Sequence, residues 1–312
     1  MSSNLFKWTK RISTIAIVLV SFYLFYKFRK DFYLISNFSP ALVIILSFLV
    51  ILTITINGNK LNHITRSFNI KLWTNEWIGL AFISSCLNGV IFKSGSVVTS
   101  NFLKRKHNFP YTSFVGAMGA DHFMMILINA FVGFSVSAYI MISHSVLYPF
   151  TGVFFSALII LIYFIRKPFD FSGSRNRFLD VLSRAARTLN DILQNKPLFW
   201  KLFFNNLALV FIMGLRLYIA CKTIGLDFQL LHCYLFANVS AFVRLIPMLH
   251  SDIGSREVTV GFLSEAIGSG FKQGVLATAI DRVFEMAWAL IGLAIFKNLL
   301  FVPVQDRESE NF

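Results

Sequence analysis

Residues 253–286, IGSREVTVGFLSEAIGSGFKQGVLATAIDRVFEM, place seven charged side chains between two hydrophobic segments near the end of the chain. These are Arg256, Glu257, Glu265, Lys272, Asp281, Arg282 and Glu285. The whole chain has 312 residues, of which 56% are hydrophobic and 14% are charged. Soluble domains carry about 25% charged residues, so this composition indicates an integral membrane protein. An ionised side chain inside a bilayer needs a partner or a water-filled cavity, and this stretch must supply one.

The apolar residues lie in long blocks, which indicates membrane-spanning helices rather than the alternating ten-residue strands of a barrel. We predict an all-α integral membrane protein with about six full spans and two re-entrant helical hairpins in inverted pseudo-repeats. The hairpins are predicted at 76–112 and 228–272, and a basic loop at 57–75 precedes the first of them. The full spans are predicted at 12–27, 38–56, 114–142, 150–165, 199–221 and 275–300. No small-residue cleavage site follows the first of them, so we interpret it as an uncleaved span rather than a signal peptide.

The predicted organisation is a single transmembrane domain over residues 1–312. A first half at about 1–165 and a second half at about 199–301 flank a basic cytoplasmic connector at 166–201, and a polar tail follows at 302–312. Helical spacing of the connector's apolar residues indicates an amphipathic helix, either on the membrane surface or packed on the bundle. Because basic segments stay on the cytoplasmic side, we predict a multi-pass cytoplasmic (inner) membrane protein with both termini inside.

The net charge of +14 fits this basic cytoplasmic surface and attraction to anionic lipids. No nucleic-acid-binding motif accompanies the charge, so we predict no nucleic acid partner. Cys86, Cys221 and Cys233 lie in apolar stretches without metal-ligand spacing, which predicts neither a disulfide nor a metal site. Nucleotide loops, HExxH motifs and nucleophile elbows do not occur in the sequence. We therefore predict a protein that is not an enzyme and uses no cofactor.

A faint internal repeat relates the two halves of the chain. A shift of 160 residues superposes six identical residues: Thr99, Phe102, Leu103, Val115, Ala117 and Asp121 fall on Thr259, Phe262, Leu263, Val275, Ala277 and Asp281. Both matches lie where a polar, glycine-containing loop precedes a long span. The predicted hairpins enter the membrane from opposite sides, which is the inverted-repeat architecture of many transporters.

The charged stretch predicts an anion-binding site. Arg256 or Arg282 would present a planar guanidinium, which suits bidentate binding of a phosphate. Gly254 lies in a turn into a short helix whose free N–H groups can bind an anion, and Arg244 precedes it. One alternative is a self-neutralised structural cluster in which Arg282 pairs with Glu285 at i, i+3. Another is a loop that anchors lipid headgroups and has no role in transport.

The segments RLIPMLHSDIGSREVTVGFL and VLATAIDRVFEMAW resemble the lysylphosphatidylglycerol synthase transmembrane region family, also called flippase-like domain proteins. The resemblance covers about residues 10–300 and is carried by Pro247, the IGSRE element at 253–257 and Arg282. The family's first half has a related loop, whose equivalents here are Asn88, Gly95 and Leu103, and His122 stands at the position of a second arginine. The second-half loop, PMLHSDIG, departs from the family in lacking the usual Pro-Gly pair.

The resemblance implies a flippase-like lipid translocase, here as a stand-alone domain without the synthetase domain of the two-domain members. Its expected ligand is an anionic phospholipid or a lipid-linked saccharide. We predict that Arg256 and Arg282 contact the phosphate and that Glu257 and Asp281 orient them or couple a proton. His122 is the candidate of the first half.

Two other functions are compatible with the sequence. A non-transporting accessory protein of surface glycan or lipid biosynthesis would bind a membrane-associated synthase or glycosyltransferase through the basic segment 166–201. A membrane transferase is the third, and it would have to form a new product when a donor is supplied.

Overall fold

The computed structural model describes residues 39–90, 93–143, 152–153, 156–157, 160, 177–243 and 254–301. All regular structure in these segments is helical, and they contain no strand. Four of their helices are long and apolar enough to cross a membrane: Pro40–Ser67, Tyr111–Ile140, Lys196–Thr223 and Phe271–Leu300. The prediction of an all-α membrane protein is therefore confirmed. The predicted span at 12–27 and most of the one at 150–165 lie outside the described residues, so the number of full spans stays a prediction.

The α-helices whose bounds the structure describes fall into two groups of four with one helix between them, and residues 152–153, 156–157 and 160 are also helical. The first group is α1 (Pro40–Ser67), α2 (Thr74–Val90), α3 (Ser94–His107) and α4 (Tyr111–Ser143). The middle helix is α5 (Arg177–Gln194). The second group is α6 (Lys196–Thr223), α7 (Leu230–Val243), α8 (Ser255–Ala266) and α9 (Phe271–Phe296), followed by a 3-10 turn at Lys297–Phe301.

The helices α1 and α6 begin in the same way and have the same length of 28 residues. Proline occupies the first turn of each, where its missing N–H would have no helical partner. The Asn195 side chain also caps α6 by accepting a hydrogen bond from the Leu198 N–H, at 3.2 Å. Each helix would extend about 42 Å at 1.5 Å per residue, which exceeds the roughly 30 Å hydrocarbon core.

The predicted basic loop at 57–75 is wrong over most of its length, because α1 continues to Ser67. Lys60, Arg66 and Lys71 led to the prediction of a basic loop, yet the side chains of Lys60 and Asn62 are buried in the protein. Lys60 donates hydrogen bonds to Asp121 and Asn206 of other helices, and Asn62 accepts one from Arg66 on the next turn, so the helix does not need to end at them.

The helices α2, α3, α7 and α8 have 17, 14, 14 and 12 residues. At 1.5 Å per residue none of them reaches across a hydrocarbon core of roughly 30 Å. The helix α2 packs against α3, and α7 packs against α8. These two short pairs coincide with the predicted hairpins at 76–112 and 228–272, and their lengths fit helices that enter a membrane and return.

The two groups of four helices repeat one structural unit. The first residues of α1 and α6, at positions 40 and 196, are 156 positions apart, and those of α4 and α9, at 111 and 271, are 160 apart. The packing repeats as well, since α2 lies against α9 and α7 lies against α4. Leu72 and Leu80 enter the core of the first unit, and Phe228 and Phe236, each 156 positions later, enter the core of the second.

The equivalent helices α1 and α6 pack against each other in opposite directions. Leu46 and Leu49, early in α1, share a buried cluster with Ile219 and Ala220 near the end of α6. Late in α1, Lys60 donates a hydrogen bond to Asn206, which lies in the first half of α6. Antiparallel packing of equivalent helices relates the two units by a two-fold axis across the helices, which is the relation that an inverted repeat requires.

Close packing of α8 on α9 depends on Gly274. A β-carbon at this position would lie 2.5 Å from the carbonyl oxygen of Val260 and 2.7 Å from the Ser264 β-carbon. We expect Gly274→Ala to lower the free energy of unfolding by about 1–3 kcal/mol, because a backbone carbonyl can move only if the two helices separate. Thermal unfolding in detergent micelles measures this loss.

The matched control is Gly119→Ala in α4, where the new β-carbon would lie 3.4 Å from Leu189 Cδ1, an ordinary contact. Alanine is the better helix former, so this variant should be as stable as the wild type or slightly more stable. Equal losses at Gly274 and Gly119 would contradict the proposed close approach of α8 and α9.

Candidate functional site

A buried carboxylate, Asp281 of α9, is the centre of a charged cluster in the second unit. Arg216 of α6 binds it with two parallel contacts, from Nε to Oδ1 at 2.8 Å and from Nη2 to Oδ2 at 3.0 Å. Arg256 of α8 brings its Nη2 to 2.8 Å from the same Oδ2. Asp281 has no exposed surface, so three helices bring one carboxylate and two guanidinium groups together inside the protein.

Glu285 completes this cluster one helical turn after Asp281. Its Oε2 lies 2.8 Å from Arg216 Nη2, which Asp281 also contacts. The cluster therefore has two positive and two negative side chains and is electrically neutral overall. A buried charge without a partner is strongly destabilising, so the neutral set can be held in the interior. The two acids differ in exposure, because the Glu285 side chain is 38% exposed and the Asp281 side chain is 0% exposed.

A second ion pair holds the beginning of α8 to α9. Arg282 Nη1 lies 2.8 Å from Glu257 Oε1, and the other carboxylate oxygen of Glu257 accepts a hydrogen bond from the Gly254 N–H at 2.9 Å. Gly254 has a φ of 95°, which suits glycine at this turn. The N–H that the sequence offered to an anion is thus already bonded to Glu257.

The first unit contains an equivalent buried ion pair. Lys60 Nζ lies 2.7 Å from Asp121 Oδ2, and Asn206 of α6 bonds both of them, at 3.0 Å and 2.9 Å. Lys60 and Arg216 are each the twenty-first residue of their helices, and Asp121 and Asp281 are each the eleventh. Each unit therefore joins its first helix to its last through a cation and an aspartate, and Asn206 links the first pair to the other unit.

A cavity of about 100 Å³ lies between the two units. One water needs about 10–15 Å³ by this measure, so the cavity holds several waters or one small oxyanion. Three pairs of equivalent positions line it: Thr53 and Leu209, Asn57 and Met213, and Met125 and Glu285. Arg216 and Arg256 also line it. Both members of each equivalent pair line the same space, which places the cavity on the two-fold axis that relates the units.

In each equivalent pair one residue is polar or charged (Thr53, Asn57 or Glu285) and the other is apolar (Leu209, Met213 or Met125). Arg256 contributes an unusual donor, since the residue is only 5% exposed and its Nε has no hydrogen-bond partner in the described part of the chain. Leaving a buried donor unsatisfied costs free energy, and such groups call for a specific explanation. Arg256 also lines the cavity, so a rotation of its side chain toward the cavity would let a ligand oxygen or a water accept from this N–H.

Four of the site residues predicted from the sequence lie in these two groups of ion pairs. Arg256 and Asp281 are in direct contact, and Glu257 and Arg282 form the neighbouring pair. The i, i+3 pairing of Arg282 with Glu285 is replaced by separate partners, because Glu285 contacts Arg216 and Arg282 contacts Glu257.

The two remaining predicted residues are His122 and Arg244, of which the structure describes His122 and places it outside this cluster. His122 is exposed, with Nδ1 2.7 Å from the Met118 carbonyl oxygen, and it lines a separate small cavity beside Ala241 and Phe242 of α7. Arg244 lies outside the described residues. The predicted first-half and loop contributions to an anion site therefore stay predictions.

Sequence reasoning missed Arg216, Lys60 and Asn206. A signal was available for Arg216, since a charged side chain in the middle of a long apolar span marks a functional or paired position. Lys60 was assigned to a loop, and Asn206 carries no charge that would distinguish it. Within the described segments, no group of three or more His, Cys, Asp or Glu side chains could hold a metal ion.

These features define a class, that of helical membrane proteins in which two inverted units enclose a charged cavity. The family described as Lysylphosphatidylglycerol synthase TM region matches residues 11–293, and the chain belongs to this family. The family connects the protein with lipid- or glycan-related processes at a membrane. No curated protein and no solved structure gives a match to the chain.

Proposed function

We propose that the protein binds an anionic phospholipid or a lipid-linked saccharide and moves it across the cytoplasmic membrane without catalysing a reaction. The observation that carries this proposal is the charged cavity on the axis between the two units, with Arg216 and Arg256 in its wall. Transporters built from inverted repeats hold their substrates at the interface of the repeats. A cavity elsewhere in the fold would not support transport in this way.

The chemistry of the wall fits a lipid phosphate. Arg216 and Arg256 offer guanidinium groups, which bind phosphate oxygens more strongly than neutral donors do. Met125, Leu209 and Met213 contribute apolar surface to the same cavity, suited to the glycerol and first carbons of a lipid. A cavity of about 100 Å³ takes the phosphate and its nearest atoms only, so acyl chains or sugars would remain outside it.

The other charged residues have positioning roles in this proposal. Asp281 holds both guanidinium groups in place, and the pair of Glu257 with Arg282 fixes the start of α8, which carries Arg256. Arg282 is not part of the cavity wall. We therefore assign the direct phosphate contact to Arg216 and Arg256 rather than to the predicted pair of Arg256 and Arg282.

Filling the cavity tests the proposed route. Asn57 is an exposed residue of the cavity wall, so Asn57→Phe should fold while reducing the space available to a phosphate. We expect this variant to lose most of the exchange of labelled phosphatidylglycerol between the leaflets of reconstituted liposomes. Ile44→Phe, on the same helix and 68% exposed, should exchange lipid at the wild-type rate.

Each result of the exchange assay has a distinct meaning. Exchange that survives Asn57→Phe unchanged would remove the cavity from the transport route. Absence of exchange by the wild type, with phosphatidylglycerol and with a lipid-linked saccharide, would favour the accessory role through the basic segment 166–201. Formation of a new lipid product when a donor is added would favour a transferase.

A further inference from the structure

Glu285 is an extra anion that the repeat does not explain. Its equivalent in the first unit is Met125, and there the pair of Lys60 with Asp121 is complete without a second acid. In the second unit Asp281 faces two guanidinium groups, so one more negative charge is needed for neutrality. Glu285 supplies that charge from the cavity wall.

The contacts of Glu285 make it the easier of the two acids to displace. Asp281 contacts both arginines and is fully buried, whereas the described contact of Glu285 is the one with Arg216 Nη2. The Glu285 side chain is 38% exposed and lines the cavity, so water in the cavity could hydrate it when it leaves the arginine. Beside it, the buried Nε of Arg256 lacks an acceptor within the described segments.

We propose that Glu285 is an internal competitor of the ligand, and that a phosphate group bearing one negative charge replaces its carboxylate on Arg216 while accepting a hydrogen bond from Arg256 Nε. This inference rests on the proposed function and adds the residue that sets the charge of the ligand. Replacement of one negative charge by another keeps the cluster neutral, which favours a phosphodiester over a dianion. A phosphodiester headgroup and free inorganic phosphate share this chemistry and are separated by the experiment.

The test measures binding to the full chain in detergent micelles. The probes are dihexanoylphosphatidylglycerol, which is a short-chain phosphodiester lipid, and inorganic phosphate. Glu285→Gln removes the competing charge and keeps the shape, and Glu285→Met installs the residue of the other unit. Glu265→Gln, at an exposed glutamate of α8, removes the same charge away from the cavity and is the matched control.

We expect Glu285→Gln and Glu285→Met to bind the lipid probe about 2- to 5-fold more tightly than the wild type, the effect of removing a partly exposed competing ion pair. Glu265→Gln should bind it as the wild type does. Unfolding midpoints without probe verify that both Glu285 variants are folded. Binding of both probes by these variants that is no tighter than by the wild type, or no binding of either probe by any protein, would overturn the proposal.

The two proposals fail in different ways. If inorganic phosphate shows the same tightening and the lipid probe does not, the competitor role stands and the lipid function fails. If exchange of phosphatidylglycerol in liposomes requires the cavity but Glu285→Gln does not tighten binding, the lipid function stands and the competitor role fails.

Discussion

Lys60→Met is expected to lower the free energy of unfolding by about 3–5 kcal/mol, the usual effect of removing one partner of a buried ion pair. Lys60 and Asp121 are 5% and 6% exposed, and their charged atoms lie 2.7 Å apart. After the substitution Asp121 would keep a hydrogen bond from Asn206 but no cation. Urea or thermal unfolding of the protein in detergent micelles measures the difference.

A double substitution shows whether the stability lost in Lys60→Met comes from the unpaired charge of Asp121 or from lost packing. Lys60→Met with Asp121→Asn removes both charges and lets the new amide bond Asn206, so most of the stability should return. Lys222→Met is the control, because Lys222 pairs with the exposed Asp227 and its loss should have no measurable effect. A double variant as unstable as Lys60→Met alone would show that the pair does not explain the loss.

The fold class followed from composition and the spacing of apolar blocks. A helix that crosses a membrane must be long and apolar, and the sequence has long apolar segments at α4, α6 and α9. The short helices were also found, since glycine and polar residues interrupt the apolar pattern at both hairpins. Boundaries were less accurate where a buried polar residue such as Lys60 lowered the local hydropathy.

The repeat was only partly visible because its offset changes along the chain. Equivalent helices begin 156 residues apart for the first two helices of each unit, 161 apart for the third and 160 apart for the fourth. A single shift of 160 therefore found Asp121 and Asp281 but could not match Lys60 with Arg216. The change arises between the second and third helices, where residues 244–254 replace a three-residue connection at 91–93.

The partners of the charged side chains could not be read from the sequence. Asp281 and Glu285 are four residues apart on α9, so they share the helix face that meets Arg216. Arg282 follows Asp281 by one residue, which turns it about 100° around the axis toward Glu257. Which helix lies against each face is decided by tertiary packing, and the paired side chains are far apart in the sequence: Arg216 and Glu285 by 69 positions, Lys60 and Asn206 by 146.

Arg256→Met is expected to reduce exchange of phosphatidylglycerol in liposomes by roughly tenfold or more, the factor that corresponds to losing a hydrogen bond to a charged group. The proposed phosphate contact is lost in this variant, while Asp281 keeps its two contacts with Arg216. The protein should therefore fold, which its unfolding midpoint in micelles will verify. Arg256→Lys retains a charge near Asp281 but has no Nε–H, so its exchange rate should lie between those of the wild type and Arg256→Met.

Arg282→Met is the matched comparison, because it removes an arginine of the neighbouring ion pair that does not line the cavity. Its pair with Glu257 positions α8, so we expect a loss of exchange of less than about threefold, as for other partly exposed ion pairs. Equal losses in Arg256→Met and Arg282→Met would return Arg282 to the phosphate site. Exchange at the wild-type rate in Arg256→Met would leave lipid transport intact but would remove the Arg256 guanidinium from the phosphate site. Arg256 is assigned to that site because no other described side chain in the cavity wall is a buried donor that lacks an acceptor.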